Sequence, residues 1–380
     1  MIKLLQILKK TIKKNYVGLH DPYFEKKDYL IFKKILSDKF VGSAGKELLK
    51  FKRLLKYKFN FKNISLTNSG HASLYIILKA LGTNDKHEIL IPNLNYIAAA
   101  NTIIMNNSDP HLVDISEYDL GINVEKLSKY LNKITFQKKG LTFNKYTGKQ
   151  IFACIALHPF GFACNIFELK KLLNKYNILL IEDAAEALGS LYKNKNLGNI
   201  GYASALSFNA NKIITCGGGG AIVSSNKQFI KKCDHLVSVA KVKHNYKFYH
   251  DAASFNFRMP NLNAALGITQ LNKFKKILKI KRKIHKNYFL SFKENKNYNL
   301  MTDKKSEKSN NWLNILVLKN NLNKRDKIIK YLISKNITVR PAWELMDTIP
   351  FLKKIPKMNL NISKKIYKKI ICLPSGINIT

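Results

Sequence analysis

The chain has 380 residues, 46% apolar and 24% charged, a length that buries a large core without staples and a balance that excludes disorder, collagen and coiled coil as overall descriptions. Its formal net charge is +42, yet only five of its 66 basic residues are arginine; nucleic-acid readers lean on arginine forks, and lysine spread through stretches such as Lys273 to Lys286 reads as drift on a solvated surface, so no nucleic-acid partner is expected. No apolar run reaches the roughly 18 residues of a membrane span, and the N-terminus has no apolar core with a small-residue cleavage site, which points away from a secretory leader and towards the cytoplasm.

Residues 1–16 form a basic extension with Ile2, Leu5 and Leu8 on one side, the pattern of a helix packed on the body or resting on a membrane surface. From Asn63 onward, short apolar runs alternate with helical periodicity. Strands are predicted at Ile64–Leu66, Ile89–Ile91, His111–Asp114, Phe152–Leu157, Ile178–Ile181, Ala203–Phe208 and Ala221–Ser224. Helices are predicted between them at Ala72–Leu81, Ile97–Met105, Val124–Leu131 and Ile166–Tyr176. Such alternation predicts an α/β fold, a mostly parallel sheet covered on both faces, with ligands beyond the carboxyl ends of its strands. After about Asp251 the pattern changes to one long helix (Asn261–Tyr288), a strand (Leu313–Leu318), a helix (Arg325–Ser334) and an extended tail. We therefore expect a large domain over 17–250 and a smaller α+β domain over 251–380.

Four features fall at strand ends. Thr67-Asn68-Ser69-Gly70-His71-Ala72-Ser73 opens a helix after a strand, where free N–H groups meet anions. Glu182-Asp183 follows an apolar run, and a carboxylate at a buried strand end demands a cap or a positive partner. Ser207 ends a strand and Lys212 follows five residues later, one strand and connection after Asp183, within reach of the same pocket. Gly217–Gly220 precedes a strand rather than a helix, which excludes a dinucleotide fingerprint or P-loop and suggests close backbone approach beside Lys212. The five cysteines (Cys154, Cys164, Cys216, Cys233, Cys372) are scattered, and neither a disulfide framework nor a metal site is expected. An anion turn, an acid for a ring nitrogen, an aromatic (Tyr96) and a lysine are together what pyridoxal 5′-phosphate requires.

From Val17 to the C-terminus the chain resembles the DegT/StrS-type pyridoxal-phosphate nucleotide-sugar aminotransferases. The resemblance rests on Gly18–Pro22, Val41–Lys46, Asn68-Ser69-Gly70, Ile91–Tyr96, His158-Pro159-Phe160-Gly161, Glu182–Glu186, Ser207 through Lys212, Phe255–Pro260 and Arg340–Trp343. Residues 206–221 and 241–260 are most similar to the branch that makes 4-amino-6-deoxy sugars for bacillosamine or legionaminic acid.

The resemblance implies a fold-type-I aminotransferase and a role for each matching residue. Lys212 holds the cofactor aldehyde and moves the proton. Asp183 pairs with the pyridine nitrogen, Tyr96 stacks on the ring, and Glu186 stands near the ring hydroxyl. Ser207 and the backbone of Gly70, His71 and Ala72 hold the phosphate, joined by Asn256 from the second subunit of a homodimer with shared sites. His71 stands where relatives usually carry Thr, and Glu186 where many carry Gln or His. His250, Arg258 and Arg340 are candidates for the substrate's diphosphate. The implied reaction moves an amine from L-glutamate to C4 of a nucleotide-linked 4-keto-6-deoxy sugar, with UDP-2-acetamido-2,6-dideoxy-4-hexulose favoured, for surface-polysaccharide, nonulosonic acid or bacillosamine synthesis. A GDP-4-keto-6-deoxymannose or 3-keto-sugar aminotransferase is the alternative, and a non-enzymatic polyanion binder the distant one.

Overall fold

The computed structural model describes residues 1–320 and 324–379. Its centre is a nine-stranded sheet, seven of whose strands lie in the order Asn63–Thr67, Gly220–Ser224, Ala203–Ser207, Leu179–Asp183, Gln150–Leu157, His87–Pro92 and Asp109–Val113. Only Gly220–Ser224 runs against the others. The central strands read as continuous apolar runs, such as Ile89-Leu90-Ile91, because both faces are covered and all three side chains are fully buried. Helices Gly70–Leu81, Ala98–Met105, Val124–Ile134 and Ile166–Lys175 alternate with the strands as the periodicity predicts. A hairpin, Thr135–Lys138 with Leu141–Asn144, joins the sheet beside Gln150 and has no counterpart in the sequence reading.

The second half differs from expectation in two places. The long helix is two, Asn261–Asn272 and Phe274–Phe292, broken at Lys273 (φ −97°, ψ 8°). The break serves two cores. Ala264, Ile268 and Leu271 pack with Phe51 and Phe208, whereas Ile284, Tyr288 and Phe292 pack with Leu4 and Leu8 of the first helix, Ile2–Thr11, and with Ile12 just after it. The extended tail carries a helix, Asn361–Tyr367, and a strand, Ile370–Leu373. That strand and Tyr298–Leu300 flank Asn314–Leu318 in a small antiparallel sheet. Helices Lys26–Ser37, Lys46–Phe59 and Lys227–Val237 complete the frame. Among the described residues no helix is long and apolar enough to cross a membrane and no cluster of His, Cys, Asp and Glu is placed to hold a metal ion; all five cysteines are free and buried.

Candidate active site

Three strands that share one direction, Asn63–Thr67, Leu179–Asp183 and Ala203–Ser207, deliver their carboxyl ends to one cavity of about 350 Å³. At the first, Ser69 caps the helix Gly70–Leu81, its Oγ accepting the Ala72 N–H at 3.0 Å. The first N–H groups of a helix have no partner within it, so with Ala72 capped, those of Gly70 and His71 remain for an anion. Glycine is required at 70: a Cβ there would come within 2.8 Å of the Ser207 Cβ. A Cβ on Gly220 would come within 2.3 Å of the Ser69 carbonyl oxygen, so that glycine lets the returning strand pass the turn. The close backbone approach expected of Gly217–Gly220 occurs at its last residue, but against the Ser69–Gly70 turn rather than Lys212.

Glu182 and Asp183 are successive residues of one strand and so point to opposite faces. Glu182 turns away from the cavity, accepting N–H groups of Gly198 (2.8 Å), Ile200 (2.6 Å) and Gly201 (2.6 Å) and facing His158 Nε2 at 3.0 Å. These contacts outweigh its burial and hold its carboxyl below the usual range. Asp183 lines the cavity. Its Oδ1 accepts the Ala185 N–H at 3.1 Å, and burial raises its carboxyl against the opposing charges of Lys212 and His158. Glu186, one turn on, accepts the Phe160 N–H at 2.8 Å. Burial pushes its carboxyl up to about 7 despite Lys212 beside it.

Lys212 sits in the loop between two antiparallel neighbours, Ala203–Ser207 and Gly220–Ser224, whose first pair is Ser207 opposite Gly220. Because the chain returns beside the strand it left, the loop stays over the cavity. Phe208 closes it, its N–H donating to Gly219 and its carbonyl accepting from Cys216, both at 2.8 Å. Lys212 Nζ lies 3.4 Å from Glu186 Oε1 and 4.3 Å from the centroid of the Trp312 ring.

Gly70, His71, Tyr96, Asp183, Glu186, Ser207 and Lys212 therefore line one cavity. His71 is half-buried, which lowers its pKa, and Tyr96 stands at the mouth, 54% exposed. Ala72 does not line the cavity: its N–H is taken by the Ser69 Oγ cap, so the phosphate role expected of its backbone falls to Gly70 and His71 alone. Four further candidates are elsewhere in this chain. Asn256 is exposed and bridges to Ser238. His250 is exposed on a hairpin, with Nδ1 at 2.8 Å from the Val239 carbonyl oxygen. Arg258 is exposed and lines a separate surface cavity with Lys52, Lys241 and Lys243. Arg340 donates to its neighbour Val339. The sequence reading gave no role to Asn68, Trp312 and Trp343, which also line the cavity. Trp343 had a signal, since it ends the Arg340–Trp343 match; Trp312 had none.

The profile of the DegT/DnrJ/EryC1/StrS aminotransferase family matches residues 23–380, and the chain belongs to that family. It is 28% identical over 363 residues to a GDP-perosamine synthase of Vibrio cholerae, covering 94% of each chain. It is also 28% identical over 347 residues to a UDP-4-amino-4,6-dideoxy-N-acetyl-beta-L-altrosamine transaminase of Campylobacter jejuni subsp. jejuni serotype O:23/36, covering 90% of this chain and 87% of the relative. The fold superimposes on Helicobacter pylori PseC, an aminotransferase of pseudoaminic acid biosynthesis, with a TM-score of 0.86 at 22% identity, covering 96% and 95% of the two chains. Aminotransferases of this family use pyridoxal 5′-phosphate. The cavity fits it: a buried acid short of a positive partner (Asp183), a lysine over the same space, and uncapped N–H groups beside Ser207, where the missing Cβ of Gly70 leaves room.

Proposed function

We propose that this chain moves an amine from L-glutamate to C4 of a nucleotide-linked 4-keto-6-deoxy sugar. The observation that carries the reading is the meeting of Lys212 Nζ, Asp183, Glu186 and the open helix terminus at Gly70 in one cavity. Relatives named for GDP-perosamine and for a UDP-linked amino sugar support the substrate class, and their equal identity of 28% gives neither nucleotide the advantage.

Pyridoxal phosphate, when bound, supplies an aldehyde and an electron-withdrawing ring. The chain's own residues do the rest. The N–H groups of Gly70 and His71, with Ser207 Oγ, hold the phosphate at the positive end of a helix. Asp183, buried at its strand end, would pair its carboxylate with the ring nitrogen and keep a proton there. Glu186 would stand near the ring hydroxyl, and Tyr96 lies at the mouth. Lys212 Nζ would serve as general base towards the proton on the glutamate Cα and then, protonated, as general acid.

The active unit is a homodimer with shared sites. Asn256 and Arg258 lie outside the cavity of their own chain, on a strip whose Phe257 carbonyl accepts the Asn68 N–H at 2.8 Å. Nearby Tyr246 and Phe248 are 79% and 85% exposed, an apolar surface of the kind that subunits cover. In this arrangement Asn256 of each subunit would reach the other's phosphate site, and His250, Arg258 and Arg340 are the candidates for the nucleotide diphosphate.

The test is spectroscopic. The purified holoprotein should be yellow, should bleach with glutamate, and should recover on adding either the UDP-linked or the GDP-linked ketosugar. Lys212→Ala should lose borohydride-fixed cofactor and amino transfer; full turnover in that variant overturns the assignment.

A further inference from the structure

We propose that Trp312 is a positioning residue for Lys212: it fixes the peptide just before the lysine and offers its ring face to the protonated Nζ. The proposal rests on the aminotransferase reading of Lys212 and adds the group that holds that side chain while it carries a proton.

Three contacts bear on it. The indole Nε1–H donates to the Asn211 carbonyl at 2.7 Å, tying Trp312 to the residue before Lys212. The ring centroid lies 4.3 Å from Lys212 Nζ, well inside the roughly 6 Å reach of a cation–π contact. The Trp312 backbone is held from behind. Asn310 Oδ1 accepts the Trp312 N–H at 2.8 Å while its Nδ2 donates to the Glu186 carbonyl at 2.8 Å. The Trp312 carbonyl accepts from Lys281 Nζ at 2.7 Å, a buried lysine whose other partner is the Ser375 carbonyl at 2.5 Å. One short segment thus registers the acid and the lysine against each other.

The groups around Lys212 explain why a ring serves here. Glu186 is its carboxylate contact, at 3.4 Å, and burial raises that acid to about 7, so near neutrality its charge is incomplete. Asp183 is the acid that would pair with the pyridine nitrogen of a bound cofactor, and so would not be free for Lys212. His20, whose ring centroid is 6.3 Å from that of Trp312, is kept uncharged by burial and by Lys281, and burial lowers Lys281 as well. An indole face attracts a cation without titrating. It favours the protonated lysine over the free amine, so its effect falls on the state between the two proton moves, on kcat more than on KM.

In the holoenzyme, Trp312→Leu should lower kcat about tenfold or more with KM for glutamate within about twofold, and Trp312→Phe, which keeps a ring face but loses the N–H, should fall between. A second measurement needs no cofactor. The chain has two tryptophans, so in Trp343→Phe the emission comes from Trp312 alone, and adding Lys212→Met to that variant should change it. Unaltered kcat in Trp312→Leu, or emission indifferent to Lys212→Met, overturns the proposal. Failure of the underlying reading shows separately, as borohydride fixing the cofactor of the wild-type holoenzyme to a peptide without Lys212.

Discussion

Glu186 is where a single side chain most affects the site. Buried beside Lys212, its carboxyl is raised from 4.5 to about 7. A carboxyl raised by folding stabilises the folded state fully below its unfolded pKa, and that contribution is lost as pH climbs through the folded value. The cofactor-free protein should therefore lose stability between about pH 4.5 and 7, by at most roughly 3 kcal/mol. Glu186→Gln should flatten that slope, as read from denaturant midpoints across the range; an unchanged slope would show that the acid is already ionised below neutrality. Glu186 was legible as part of Glu182–Glu186. Its two contacts, the Phe160 N–H and Lys212 Nζ, were not, because each comes from a different strand end.

At the scale of elements, the helix Gly70–Leu81 shows how strand and helix termini are fitted together. Its first residue must be glycine because the Ser207 side chain lies where a Cβ would go, and Ser207 is backbone-anchored on a central strand. Gly70→Ala should leave the helix intact and move its first turn, so the loss should appear as an increase of about tenfold or more in the cofactor's apparent Kd, measured by absorbance titration. The helix Ile2–Thr11 is a simpler case. Leu8 is fully buried against Tyr288 and Phe292, so Leu8→Ala should cost about 2–4 kcal/mol in unfolding experiments; a value near zero would mean that the helix contributes little to the small sheet's core. The periodicity of Asn261–Tyr288 was visible, but the break at Lys273 was not, since it is set by two cores that meet different parts of one run.

For the whole molecule, the question is how a chain with Asn256, Arg258 and Arg340 outside its own cavity completes a site. If Asn256 acts in the other subunit's site, Asn256→Ala and Lys212→Ala should each be inactive or impaired as pure dimers. Mixed by refolding together, they should regain activity, because one hybrid site carries both wild-type residues. Mixtures no more active than the better parent would place Asn256 outside catalysis. What the sequence determined by itself was whatever follows from neighbours along the chain. Strand–helix alternation, the turn Thr67–Ala72, the acid after Leu179–Ile181 and the lysine after Ser207 are local patterns, and a parallel sheet brings all its strand ends to one side. What only the tertiary structure decided were the meetings of distant segments. Trp312 reaches a carbonyl 101 residues away, Lys281 holds it from a separate helix, and Arg258 and Arg340 stand outside the cavity. Such contacts depend on how closely packed layers are placed against one another, and no spacing along the chain encodes that.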